Sequence, residues 1–187
     1  MDDFFPNRRD IVNPNPENHN YMLDTSAIEH LDSEQKKLCV RSLSFDYRYF
    51  VTDVQIRELL GVPDRTLDYK NPKYNPPSEK INTLNQLFSD LNIKWVDCVV
   101  NLHLNFWLLD GSMRILEEDS LESDIFREIH KGKNRYTNDA TIAEAAIKNH
   151  CVLITDNIRD FDKAITSRFP DRLLSLNSFI SQLKQLI

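Results

Sequence analysis

Residues 136–161 constrain the fold more than any other stretch, because they read without a break as helix, two-residue turn, buried strand and acidic loop. Thr137 or Asn138 can accept hydrogen bonds from the first free N–H groups of a helix, and Ala140 to Lys148 are mostly good helix formers. Ile142, Ala143, Ala146 and Ile147 have the spacing of an inward helix face, and Asp139 begins that stripe. After Asn149-His150, the apolar run Cys151-Val152-Leu153-Ile154 suits a strand buried on both faces in a parallel sheet. Thr155, Asp156, Asn157 and Asp160 then fall just beyond its carboxyl end, the edge at which open α/β sheets bind ligands. Each acid also has an ordinary explanation. Asp139 can be a first-turn aspartate favoured by the helix dipole, and Asp156-Asn157 can be a turn.

The same pattern recurs along the chain. Tyr21-Met22-Leu23 reads as a short strand ending at Asp24, with Thr25-Ser26 able to cap a helix that begins near Ala27. Tyr49–Thr52 reads as a strand, followed by a helix over Asp53–Leu60 that Thr52 or Asp53 caps and Gly61 stops. Glu58 stands four residues after Val54 and projects from the same side one turn on. The ordinary alternatives are that Asp24 only caps its helix and that Glu58 is solvated. Further along come a Ser78-capped helix over Glu79–Leu91, a strand over Lys94–Val100, and helices over Leu102–Glu118 and Leu121–Lys131. Phe161–Phe169 reads as a helix ended by Pro170, Leu173–Leu176 as an edge strand and Ser178–Leu186 as a closing helix. Alternation of this kind predicts a three-layer α/β/α sandwich with a central, mostly parallel, five-stranded sheet.

Composition narrows the function classes. Hydrophobic residues at 41% and charged residues at 28% are those of a soluble globular protein, and no apolar run approaches the roughly 20 residues that span a bilayer. Met1-Asp2-Asp3-Phe4-Phe5-Pro6 lacks a secretory layout, so a cytoplasmic protein without membrane contact is expected. Cys39, Cys98 and Cys151 are widely spaced in apolar contexts and are expected in the core, and no paired histidines suggest a zinc enzyme. A net charge of −6 argues against nucleic-acid binding by the whole surface but leaves room for a local basic patch. Residues 1–20 carry several Pro and Asn and read as an extended segment preceding a domain over 21–187. Residues 62–78 form a Pro-rich insertion with interleaved basic and aromatic residues, which suits either single-stranded nucleic acid or a solvated loop. Lys131, Lys133 and Arg135, just before Asn138-Asp139, are the best phosphate contacts the sequence offers, against ordinary solvated cations.

Several carboxylates would share one sheet edge. Two charges about 4 Å apart repel by roughly 1 kcal/mol in water and about 4 kcal/mol at an effective dielectric of 20, so such a cluster needs a counter-cation. Oxygen-only ligands suit Mg²⁺ or Mn²⁺, which can deprotonate a water and stabilise charge on an attacked phosphate.

Met22-Leu23-Asp24-Thr25-Ser26-Ala27-Ile28, Val51-Thr52 through Glu58-Leu59-Leu60, Thr137 to Ala143, Val152 to Phe161 and the final Leu173 to Ile180 together resemble the PIN domain family, especially the VapC toxins of bacterial toxin–antitoxin pairs. The resemblance spans about residues 21–187 and implies a metal-dependent endoribonuclease. Asp24, Glu58 and Asp139 fall at its first three acidic positions. The fourth motif, T-x-D or T-x-N, falls on Asn157, flanked by Asp156 and followed by Asp160, so either acid is open to supply the charge that Asn157 lacks. The resemblance thus implies Asp24, Glu58, Asp139, Asp156 and Asn157 as catalytic positions and Asp24, Asp139, Asp156 and Asp160 as ligands of Mg²⁺ or Mn²⁺. Thr25, Asn138 and Thr155 would support them, and Lys131, Lys133 and Arg135 would meet the RNA. It further implies an antitoxin protein and a homodimer as partners. The 20 residues before the first strand and the long 62–78 insertion depart from the compact toxin pattern. A PIN-like scaffold module binding RNA or protein with weak catalysis is the alternative, favoured by Asn157. A phosphohydrolase of the haloacid-dehalogenase type normally needs a second Asp two residues after the first, where this chain has Ser26.

Overall fold

The computed structural model describes residues 19–61, 77–96, 124–131 and 136–186. Five strands form one sheet: β1 (Asn20–Leu23), β2 (Arg48–Val51), β3 (Lys94–Trp95), β4 (Val152–Thr155) and β5 (Leu173–Ser175). Their order is β3-β2-β1-β4-β5, and every neighbouring pair is parallel. Among the described residues the helices are α1 (Thr25–His30), α2 (Ser33–Ser42), α3 (Asp53–Leu60), α4 (Ser78–Asp90), α5 (Asp124–His130), α6 (Thr137–Lys148), α7 (Ile158–Thr166) and α8 (Leu176–Leu186).

Strand side chains alternate between the two faces of the sheet, and each face has its own core. Tyr21, Leu23, Tyr49, Val51 and Ile154 pack with Ala27, Ile56, Leu87 and Phe179, from α1, α3, α4 and α8. Met22, Phe50, Leu153 and Leu173 point the other way and pack with Phe126, Ala143 and Phe161, from α5, α6 and α7. This is the expected three-layer α/β/α sandwich. Cys39 and Cys151 are core residues as expected, and burial pushes their thiols up to about 11 and about 12, which leaves them inert near neutrality.

Element boundaries differ from the expectations for local reasons. β4 starts one residue late because the Cys151 N–H is used to close α6, donating to the Ala146 carbonyl at 2.8 Å. β5 stops at Ser175 because its hydroxyl accepts the Ser178 N–H at 3.0 Å and opens α8 at Leu176. α7 starts at Ile158 instead of Phe161 and takes Asp160 into its first turn, where the dipole favours an acid. Ser78 is the first residue of α4, with Pro77 at the cap. α3 ends where expected, at Gly61, whose φ of 70° is the left-handed conformation a helix terminus needs and glycine supplies without strain. α2 was not anticipated, although its signal is plain. The Asp32 carboxylate accepts the N–H groups of Glu34 and Gln35, both at 2.8 Å, and Gln35 accepts the Asp32 N–H at 3.1 Å.

The helix over Leu102–Glu118, residues 62–76 of the Pro-rich insertion, residues 97–100 and 121–123, Cys98 and residues 1–18 lie outside the described residues.

Candidate functional site

The strand order fixes where the site lies. β1 is central; the chain goes out to β2 and β3 and then returns across the sheet to β4 beside β1. That reversal between β1 and β4 is the switch point beyond whose carboxyl ends open α/β sheets bind ligands. Asp24 is the first residue after β1, and Thr155 is the last of β4.

Asp24 is only 5% exposed and stands at the N-cap position of α1, yet its side chain makes no cap hydrogen bond. Its Oδ2 instead accepts the Thr155 hydroxyl at 2.8 Å and the Ser26 hydroxyl at 2.7 Å. The ordinary capping explanation fails for this residue. Thr155 Oγ1 also accepts the Asn157 N–H at 3.0 Å, and Ser26 Oγ accepts the Asp156 N–H at 3.2 Å. Five residues, Asp24, Ser26, Thr155, Asp156 and Asn157, thereby lace the β4–α7 connection to the α1 start.

Gln55, fully buried in α3, holds the neighbouring strand end. Its Oε1 accepts the Thr52 N–H at 2.6 Å, and its Nε2 donates to the Leu23 carbonyl at 2.5 Å, one residue before Asp24. Helix α3 also carries Glu58, which is half-buried and not solvated. Its Oε2 accepts the Thr25 hydroxyl at 2.5 Å and its Oε1 accepts the Asn138 amide at 2.8 Å.

Asp139 follows in the first turn of α6. Tyr136 occupies the N-cap of that helix, so Thr137 and Asn138 lie inside the first turn instead of capping it, and Asn138 reaches Glu58. α6 is buried on more than the expected stripe: Thr141 and Glu144 are also covered, Glu144 with its carboxylate 2.7 Å from the Lys148 ammonium. α5 packs along that helix. Asp139 itself is half-buried. Desolvation, then the negative charges of Asp24, Glu58 and Asp160, push its carboxyl up to about 7. A first-turn aspartate stabilised by the dipole alone would be shifted the other way.

The two acids after β4 part company. Asp160 Oδ2 accepts the Asn157 amide at 2.6 Å and is among the charges felt by Asp139. Asp156 meets His30, at the end of α1, with Nδ1 to Oδ2 at 2.6 Å. The structure therefore brings Asp24, Glu58, Asp139 and Asp160 into one electrostatic neighbourhood and engages Asp156 with α1. Among the described residues no three His, Cys, Asp or Glu side chains converge closely enough to hold one ion as they stand. The donor chemistry nevertheless fits a hard divalent cation: oxygen atoms only, with anions crowding a half-buried carboxylate. Lys131 is exposed, just after α5, with φ 49°; Lys133 and Arg135 lie outside the described residues.

No known protein family matches this sequence, and no curated protein does. Among solved structures, a chain of VapBC2 from Rickettsia felis, bound to a DNA fragment from its promoter, is similar at 18% identity and a TM-score of 0.44. The alignment covers 83% of this chain and 98% of that one.

Ser26, His30 and Gln55 were missed by sequence reasoning. Gln55 had a readable signal, three residues after Thr52 in a capping-box spacing. Ser26 and His30 had none, because their partners, Thr155 and Asp156, are 129 and 126 residues away. Among the described residues no helix is long and apolar enough to cross a membrane.

Proposed function

We propose that this chain is a metal-dependent endoribonuclease of the PIN type, hydrolysing RNA phosphodiesters. The observation that carries the reading is the half-buried position of Asp139 at the carboxyl edge of the sheet, where burial first, and then the charges of Asp24, Glu58 and Asp160, push its carboxyl up to about 7. A fold keeps anions clustered at a half-buried position at a loss of stability, and a counter-cation relieves it. Asp24 and Asp139 would hold Mg²⁺ or Mn²⁺, with Asp160 as the further carboxylate. When bound, the ion supplies a water of lowered pKa and charge stabilisation at the phosphodiester.

The chain's own residues prepare this. Thr155 and Ser26 fix the Asp24 carboxylate through Oδ2, leaving Oδ1 without a protein hydrogen bond among the described residues. Gln55 fixes the peptide that carries it. Asn157 orients Asp160. An uncharged Asn157 thus serves as a hydrogen-bond donor to a carboxylate one helical turn on. RNA as substrate, an antitoxin partner, a homodimer and a cytoplasmic setting follow from the PIN and VapC resemblance of the motifs and are part of this proposal.

The direct test is cleavage of a susceptible RNA with and without Mn²⁺. Asp139→Asn should abolish metal-dependent cleavage while leaving the circular dichroism spectrum unchanged; unchanged cleavage would sink the assignment. The pairing of Asp156 with His30 favours a second reading, a scaffold module with weak catalysis. A well-occupied Mn²⁺ between Asp24 and Asp139 in a soaked crystal tells against it.

A further inference from the structure

We infer that Glu58 acts as a clamp that sets the spacing of Asp24 and Asp139, and not as a metal ligand; the inference rests on the nuclease reading for its functional consequence. Among the described residues, Thr25 and Asn138 both bond to Glu58, and each is one residue from an acid of the site. Thr25, which donates to Oε2 at 2.5 Å, directly follows Asp24; Asn138, which donates to Oε1 at 2.8 Å, directly precedes Asp139. One carboxylate thereby bridges the first turn of α1 and the first turn of α6, which lie far apart in sequence. α3, which carries Glu58, packs against both helices.

Both Glu58 oxygens are committed to protein donors in this arrangement. A carboxylate that accepts two hydrogen bonds in a fork holds its partners at a defined separation, and supporting groups of this kind commonly change metal affinity ~10–100-fold when removed. Glu58 also adds negative charge near Asp139. The two effects have opposite signs in the metal-free protein. Loss of a clamp loosens α1 and α6, whereas loss of a repelling anion tightens them.

The experiment is hydrogen exchange on metal-free Glu58→Gln, Glu58→Ala and Thr25→Val/Asn138→Ala, followed by Mn²⁺ calorimetry on each. A clamp predicts about tenfold faster exchange in the first turns of both α1 and α6 in Glu58→Ala, a smaller change in Glu58→Gln, which keeps one acceptor, and the same pattern in the double variant. It predicts that Thr25→Val/Asn138→Ala lowers Mn²⁺ affinity as much as Glu58→Ala does, and that adding Glu58→Ala to the double variant lowers it no further. Slower exchange in Glu58→Gln, or Mn²⁺ binding lost in Glu58→Gln and intact in the double variant, would overturn the clamp and make Glu58 a ligand. Should Asp24→Asn and Asp139→Asn both leave Mn²⁺ binding unchanged, the nuclease reading fails, and the exchange measurement still decides the clamp.

Discussion

The hydroxyl of Thr155 donates to the Asp24 carboxylate at 2.8 Å, joining the end of β4 to the end of β1 with a fully buried donor. Thr155→Val keeps the shape and removes one of two donors, leaving Ser26 to hold a carboxylate that is 5% exposed. A hydrogen bond to a buried charge contributes about 1.5–3 kcal/mol. The expected outcome is a lower urea midpoint at unchanged m-value, together with a roughly tenfold or greater loss of Mn²⁺ affinity as Asp24 loses its orientation.

Asp139 makes the metal-free protein pH-sensitive in an unusual direction. Its folded carboxyl titrates at about 7, above the ordinary value of 3.8, so between these limits the folded state binds more protons than the unfolded state. Stability from this residue is present below about pH 4 and is lost as pH rises through about 7. Asp139→Asn removes that loss. In EDTA at pH 8 it should be more stable than wild type by about 1–3 kcal/mol, allowing for partial exposure, with little difference near pH 4. Added Mn²⁺ should raise the Tm of wild type and leave that of the variant unchanged. Equal stabilities at pH 8 would show that the crowding is relieved by some other means.

Asp156 and Asp160 should separate cleanly. Asp160 acts on Asp139 and accepts from Asn157, while Asp156 meets the exposed His30. With Asp160 in its proposed place as the further carboxylate, Asp160→Asn should weaken Mn²⁺ binding about tenfold by removing that charge. Asp156→Asn should leave affinity within about threefold and shift stability by at most about 1 kcal/mol, as exposed ion pairs do. Calorimetry on the two variants checks both, and the reverse ranking would make Asp156 the fourth acid.

The layers of the fold were legible because period and composition agree locally. Cys151 to Ile154 suits a short buried strand, found over Val152–Thr155, and Ala140 to Lys148 suits a helix against a sheet. The acids at strand ends were legible for the same reason. What those acids touch was not. Asp156 and Asp160 look equivalent in sequence, and only the packing of α1 beside β4 gives Asp156 a histidine. Glu58 was read as a solvated glutamate or a site acid, but its engagement by both Thr25 and Asn138 depends on three helices meeting. α2 was missed although its Asp32 to Gln35 capping box is local; the apolar spacing over Ser33–Ser42 is weak, and only Cys39 and Ser42 are buried.

The order of the strands also bears on when the site can exist. β1 lies in register with β4 through Tyr21↔Val152, Met22↔Leu153 and Leu23↔Ile154, so its second neighbour is made only after some 130 further residues. During synthesis Asp24, Glu58 and Asp139 all emerge before the strand that aligns the first of them. Until then β1 presents an unpaired edge. A growing chain therefore carries the acids before Thr155 can reach Asp24, and a fragment ending before Val152 would leave that edge open to pairing with other chains. The contact between Thr155 and Asp24 can form only once β4 has joined β1.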